Sequence, residues 1–239
     1  MCSSDLNPTD TALFAEERAS RATLTAFGMT KRPGRSVAND GGLQDLLKAR
    51  APAICFVAKS WDYHVRVALG STNAENLDSI RQSVAAARAA GREVLVDCEH
   101  FFDGYKANPD YAVECAAAAL AAGARWVVLC DTNGGTLPGE VSEIVRAVAK
   151  TVPGDHLGIH AHNDTEQAVA NSLAAVEAGC RQPPGGEGID QGVVVHNVAA
   201  RRIHEIRRRL HLRELRRAQQ VLGLRRKWNM ERDIVAGCE

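Results

Sequence analysis

Two histidines, His160 and His162, stand two residues apart in the segment Leu157-Gly158-Ile159-His160-Ala161-His162-Asn163-Asp164. Side chains of an extended strand alternate with period two, so both imidazoles leave the same face. Leu157 and Ile159 supply an apolar lead-in, and Asn163-Asp164 a polar exit. Two neutral imidazoles beside a carboxylate make a half-site for a divalent metal. A metal held there could polarise a carbonyl oxygen. The alternative is a strand end whose histidines hydrogen-bond to their neighbours.

Such a pair needs a frame, and the surrounding chain repeats one. Short runs rich in Val, Ile and Leu occur at Thr23–Gly28, Ala53–Ala58, Glu93–Cys98, Trp126–Asp131 and Leu157–His162. They are apolar on both faces, as parallel strands covered on each side should be. Helical patterns follow at Gly42–Ala49, Ala74–Ala90, Asp110–Ala122, Glu140–Thr151 and Glu166–Ala178. Asn108-Pro109 marks one helix start, and Gly91, Gly123 and Gly179 mark helix ends.

Right-handed crossovers in such repeats bring all the polar strand ends to one rim. That rim gathers Lys59-Ser60-Trp61-Asp62, Asp97, Glu99, Asp131-Thr132-Asn133, and His160, His162 and Asp164. Chemistry at every carboxyl end predicts an α/β fold of the TIM (β/α)8 barrel type. A doubly wound sheet is the alternative, but no GxGxxG turn follows the first strand. About five βα units are readable where a closed barrel has eight, so a partial barrel is expected over residues 1–182. Strands cut from a closed sheet would expose two edges, which predicts poor solubility.

From Pro183-Pro184-Gly185-Gly186 the composition changes. Between Arg201 and Arg232 stand eleven arginines and one lysine, with four acidic residues in Arg201–Asp233. Residues 183–239 therefore read as an Arg-rich tail: a solvated basic amphipathic helix, a phosphate-binding or partner-binding arm, or the product of a shifted reading frame. The whole chain has a formal net charge of zero, which gives it no bias toward nucleic acid or anionic membrane. No apolar run approaches the roughly 20 residues of a membrane span. Seven cysteines without a CxxC pair, three of them in strand patterns, suit a reducing cytoplasm.

Several longer motifs carry a resemblance. They are Thr25-Ala26-Phe27-Gly28-Met29-Thr30-Lys31-Arg32-Pro33-Gly34, Lys59-Ser60-Trp61-Asp62, Glu99-His100-Phe101-Phe102-Asp103-Gly104-Tyr105-Lys106, Leu129-Cys130-Asp131-Thr132-Asn133-Gly134-Gly135 and His160-Ala161-His162-Asn163-Asp164. Asn7-Pro8-Thr9-Asp10 looks like a further loop of the same set. In this order they resemble citramalate synthase, within the isopropylmalate synthase and HMG-CoA lyase group of metal-dependent barrels, over roughly residues 7 to 182.

The resemblance implies an acyltransferase that condenses acetyl-CoA with pyruvate to citramalate, for isoleucine and branched-chain amino-acid biosynthesis. It implies His160 and His162 as ligands of a divalent metal (Mg²⁺, Mn²⁺ or Zn²⁺) that holds the keto acid. Glu99 would position or polarise the acetyl donor, or else serve as a rim salt-bridge partner. Thr132 would donate to the keto acid's carboxylate, or cap the following turn. Asp131 would touch substrate or orient loops, and Asn163 joins them as a substrate-binding residue. The partners implied are the two small-molecule substrates and, in the intact family member, a second subunit of a homodimer; membrane and nucleic acid are not expected.

Two family motifs have no counterpart here: a DTTLRDG-type strand with an aspartate ligand and an arginine, and a GxGERxGN-type closing segment with an asparagine ligand. The first and last strands of the barrel are accordingly expected to be missing, and the chain to be an incomplete, weakly active or inactive copy. The alternatives are an enzyme like 2-isopropylmalate synthase or HMG-CoA lyase, or a non-catalytic fragment.

Overall fold

The computed structural model describes residue Thr23 and residues 25–181. The Asn7-Pro8-Thr9-Asp10 loop and the Arg-rich tail at 183–239 lie outside the described residues. Five strands form one sheet in the order β1-β2-β3-β4-β5. They are β1 (Thr25–Met29), β2 (Ala53–Lys59), β3 (Glu93–Glu99), β4 (Trp126–Asp131) and β5 (Leu157–Ala161). Every neighbouring pair is parallel. A strand order that follows the sequence has no switch point, which excludes the doubly wound alternative and leaves the winding of a barrel.

The helices between them are α1 (Gly41–Lys48), α2 (Asp62–Val67), α3 (Asn73–Ala89), α4 (Phe101–Ala107), α5 (Pro109–Ala121), α6 (Pro138–Val148) and α7 (Ala168–Ala178). Their starts are chemically explicit. Asp40 accepts from Leu43 N at 2.9 Å, and Thr72 and Glu75 close a reciprocal capping box on α3. Asn108 Oδ1 accepts from Tyr111 N at 3.2 Å, with Pro109 in the first turn of α5.

Alternation along the strands divides the sheet into two faces. Ile54, Phe56, Ala58, Val94, Val96, Cys98, Val127, Leu129, Leu157 and Ile159 join one buried cluster with helix residues such as Leu43, Leu46, Ile80, Val84, Ala112, Val141, Val145 and Ala175. The small residues Ala112, Ala116 and Ala119, all fully buried, let α5 approach the sheet closely. The residues between those strand positions face the other way, where the polar side chains collect.

Three expectations need correction. Helices α2 and α4 are additional to the five helical patterns of the sequence, because each is too short to show apolar periodicity. Helix α6 begins at Pro138 rather than Glu140 and ends at Val148 rather than Thr151. The Glu140 side chain serves instead as its cap, accepting from Leu137 N at 2.8 Å. Helix α7 begins at Ala168 and not Glu166, because Glu166 has left-handed backbone at φ 58°.

Candidate active site

His160 is the last but one residue of β5, and its Nδ1 lies 3.2 Å from Asp97 Oδ2 on β3. The two strands are not neighbours. Asp97 pairs in register with Val128, and Cys130 with His160, so the carboxylate reaches diagonally across β4 on the face away from the helices. Its other oxygen, Oδ1, accepts from Cys55 Sγ on β2 at 3.4 Å. Asp97, Cys130 and His160 each place one donor atom within 4.8 Å of the others. Burial, and then the adjacent Asp97 carboxylate, push the Cys55 and Cys130 thiols well above their ordinary range.

His162 follows just beyond β5, where its backbone N donates to Asp131 O at 3.2 Å. The His160 and His162 rings are stacked, with centroids 5.0 Å apart and planes 26° apart. The period-two expectation of a common face therefore describes the arrangement. A nearly parallel pair of imidazoles, with a carboxylate hydrogen-bonded behind one ring, offers donor chemistry suited to a divalent cation.

At the neighbouring strand ends, the Lys59 ammonium on β2 forms an ion pair with Glu99 Oε2 on β3. The side chains are 16% and 24% exposed, so this pair is only partly screened by solvent. Thr132 Oγ1, one residue past β4, accepts from His100 N at 2.8 Å and keeps its own hydroxyl proton available to donate. His100 holds a left-handed backbone (φ 55°), and its Nδ1 lies 3.3 Å from Asp103 Oδ2, which also accepts from Asn133 Nδ2 at 2.9 Å. His64 meets the His100 ring edge-on at 4.3 Å. Burial first, and then His100 and Lys59, hold the His64 pKa below its ordinary 6.5.

Two expected site residues have structural duties. Asp131 is 1% exposed and turned toward the helices, accepting from Thr136 Oγ1 at 2.8 Å and from Thr136 N and Asn171 Nδ2 at 3.3 Å. It orients the loop after β4, and strand parity is the reason it does so instead of sharing the face of Thr132. Asn163 Oδ1 accepts from Ala168 N at 3.1 Å, at the start of α7. Gly134 (φ +62°) joins the β4 and β5 loops, since a Cβ there would lie 2.7 Å from Asp164 Oδ2 and 2.9 Å from Asp164 N.

Asp97 is the residue that sequence reasoning left on the rim without a role. The signal was present: it stands two residues before Glu99 and so shares its face. Beside Lys59, at the ends of β1 and β2, opens a cleft of about 440 Å³ lined by Lys31, Arg32, Arg35 and Lys59 among others. The Lys31 ammonium is engaged internally, donating to Arg35 O at 3.0 Å and facing Asp78 at 3.7 Å.

A parallel sheet wound in chain order, with titratable side chains at its carboxyl ends, is the frame of a TIM barrel. Residues 23–220 match the family model described as HMGL-like, and the chain belongs to that family. It is 50% identical over 182 residues to the (R)-citramalate synthase of Aquifex aeolicus, covering 75% of this chain and 34% of that protein. It is 48% identical over 189 residues to the (R)-citramalate synthase of Synechocystis, covering 75% and 35%. The 2-isopropylmalate synthase of Prochlorococcus marinus MIT 9303 is 37% identical over 130 residues, covering 53% and 23%. The chain thus spans about a third of the length of the citramalate synthases it matches. Among solved structures, the HMG-CoA lyase from Brucella melitensis superposes with a TM-score of 0.63 at 20% identity, over 83% of this chain and 72% of that one. That from Pseudomonas aeruginosa gives 0.62 at 20%, over 97% and 80%. The fold is that of the HMGL-like barrel. No helix among the described residues is long and apolar enough to cross a membrane.

Proposed function

We propose that this chain carries the metal-binding and substrate-binding part of an acyltransferase of the citramalate synthase type, which joins the acetyl group of acetyl-CoA to pyruvate. The observation that carries the reading is the stacked His160–His162 pair with the Asp97 carboxylate behind His160. Higher identity to the citramalate synthases than to 2-isopropylmalate synthase favours pyruvate as the keto acid.

His160 and His162 would hold the divalent ion. When bound, the ion supplies Lewis-acid polarisation of the keto oxygen. Thr132, already accepting from His100 N, turns its hydroxyl proton to the keto acid's carboxylate. Glu99, held by Lys59, orients the acetyl donor. Arg32 and Arg35 in the adjoining cleft suit the phosphates of the coenzyme. In the net reaction the acetyl methyl loses one proton and bonds to the keto carbon, whose oxygen becomes a hydroxyl. Water then cleaves the thioester and releases the coenzyme thiol.

The test is thiol release from acetyl-CoA by the full chain with Mn²⁺, with and without pyruvate, in wild type and His160→Ala. Pyruvate-dependent release that His160→Ala abolishes supports the reading. Release that responds to a different keto acid and not to pyruvate overturns the substrate assignment. Metal binding without turnover points to a non-catalytic product.

A further inference from the structure

We propose that Asp97 is a positioning residue that fixes the tautomer and orientation of His160. The inference rests on the reading that His160 and His162 hold the metal. The ring nitrogen Nδ1 lies 3.2 Å from Asp97 Oδ2, and in the proposed arrangement Nδ1–H donates and the carboxylate oxygen accepts. With the proton on Nδ1, the basic lone pair of His160 belongs to Nε2, and the hydrogen bond behind the ring raises its basicity.

The geometry suits this task. Asp97 is 9% exposed, and its two oxygens are tied to different strands: Oδ2 to His160 on β5 and Oδ1 to the Cys55 thiol on β2. A carboxylate held at both ends has little rotamer freedom, so it also limits rotation of the imidazole. The neighbouring position Glu99, on the same face of β3, is paired with Lys59. Asp97, Cys130 and His160 lie close enough to act together as a ligand set of their own. That use would make the Asp97 carboxylate a ligand of the ion instead of the partner of His160 Nδ1, so the two arrangements are alternatives.

The experiment uses the full chain with Co²⁺ as probe, in wild type, His160→Ala, Asp97→Ala, Asp97→Asn and Cys130→Ala. Affinity is read from the visible absorbance of bound cobalt, folding from circular dichroism, and the tautomer from long-range proton–nitrogen spectra of histidine-labelled protein. Wild type is expected to show the Nδ1–H tautomer at His160. Asp97→Ala is expected to bind cobalt about 10- to 100-fold more weakly and to shift toward the Nε2–H tautomer. Asp97→Asn still offers an oxygen to Nδ1–H and is expected to lose less, at least about threefold. It is the variant read if Asp97→Ala does not fold.

Wild-type affinity in whichever Asp97 variant folds overturns the proposal. So does a thiolate-to-cobalt charge-transfer band that disappears in Cys130→Ala, because it would make the Asp97, Cys130 and His160 trio the ligands. A wild type that binds no cobalt, or a His160→Ala variant that binds it unchanged, overturns the parent reading of the histidine pair instead.

Discussion

Lys59 and Glu99 end adjacent strands at the same register position, and their side chains meet in an ion pair on the face opposite the helices. Parallel pairing of β2 and β3 brings the two backbones together; the common side-chain parity does the rest. Removing one partner leaves the other partly desolvated. In a double-mutant cycle of Lys59→Met and Glu99→Gln, thermal unfolding should report a coupling of about 1–2 kcal/mol. A coupling indistinguishable from zero would mean that solvent screens the pair completely.

Asp131 gives the sharpest separation between a loop anchor and a ligand. Asp131→Ala deprives Thr136 and Asn171 of their buried acceptor. It is expected to destabilise the fold by about 1–3 kcal/mol while leaving cobalt affinity within about twofold of wild type. Denaturant unfolding and cobalt titration on the same preparations check both halves. A large loss of affinity with unchanged stability would return Asp131 to the site.

Gly104 touches backbone where no side chain fits. A Cβ there would sit 2.5 Å from Ser60 O and 3.0 Å from Trp61 Cα, at the contact between α4 and the loop after β2. Gly104→Ala should cost about 1–3 kcal/mol, seen as a lower melting temperature. Gly135→Ala is the control, since no atom of the described residues lies within 4 Å of the position its Cβ would take.

The buried thiols set an alkaline limit. Burial, the largest cause in each case, raises Cys55, Cys98 and Cys130 well above the ordinary 9.0, and Cys115 and Cys180 to about 12. The folded state therefore holds these protons more tightly than the unfolded chain. Their contribution to stability is fully present below pH 9 and is lost as pH rises past that value toward the folded pKa. Melting temperatures should fall progressively above about pH 9. Under native conditions at pH 8, these five should react with a thiol reagent far more slowly than after unfolding.

The chain made its strands and long helices legible because each is long enough to express a period. Asn108-Pro109, read as a helix start, is one, with Asn108 capping and Pro109 in the first turn. The short helices α2 and α4 escaped because six or seven residues cannot establish amphipathicity, and because Phe101 and Phe102 are buried by the surrounding fold. At the site, period two correctly aligned His160 with His162. The same rule, applied to β3 and β4, would have put Asp97 beside Glu99 and turned Asp131 away from Thr132. What it could not supply was reach: that Asp97 touches His160 across an intervening strand depends on sheet twist and stagger, which no local pattern encodes.

The division of the sheet into a hydrocarbon side and a reactive side has an evolutionary corollary. Replacements among Cys55, Asp97, Glu99 and Cys130 alter chemistry while the packed positions Ile54, Phe56, Val96 and Leu129 remain untouched. A single-residue insertion within β4 would have the opposite effect, exchanging the two sets from that point to the strand's end and forfeiting both at once.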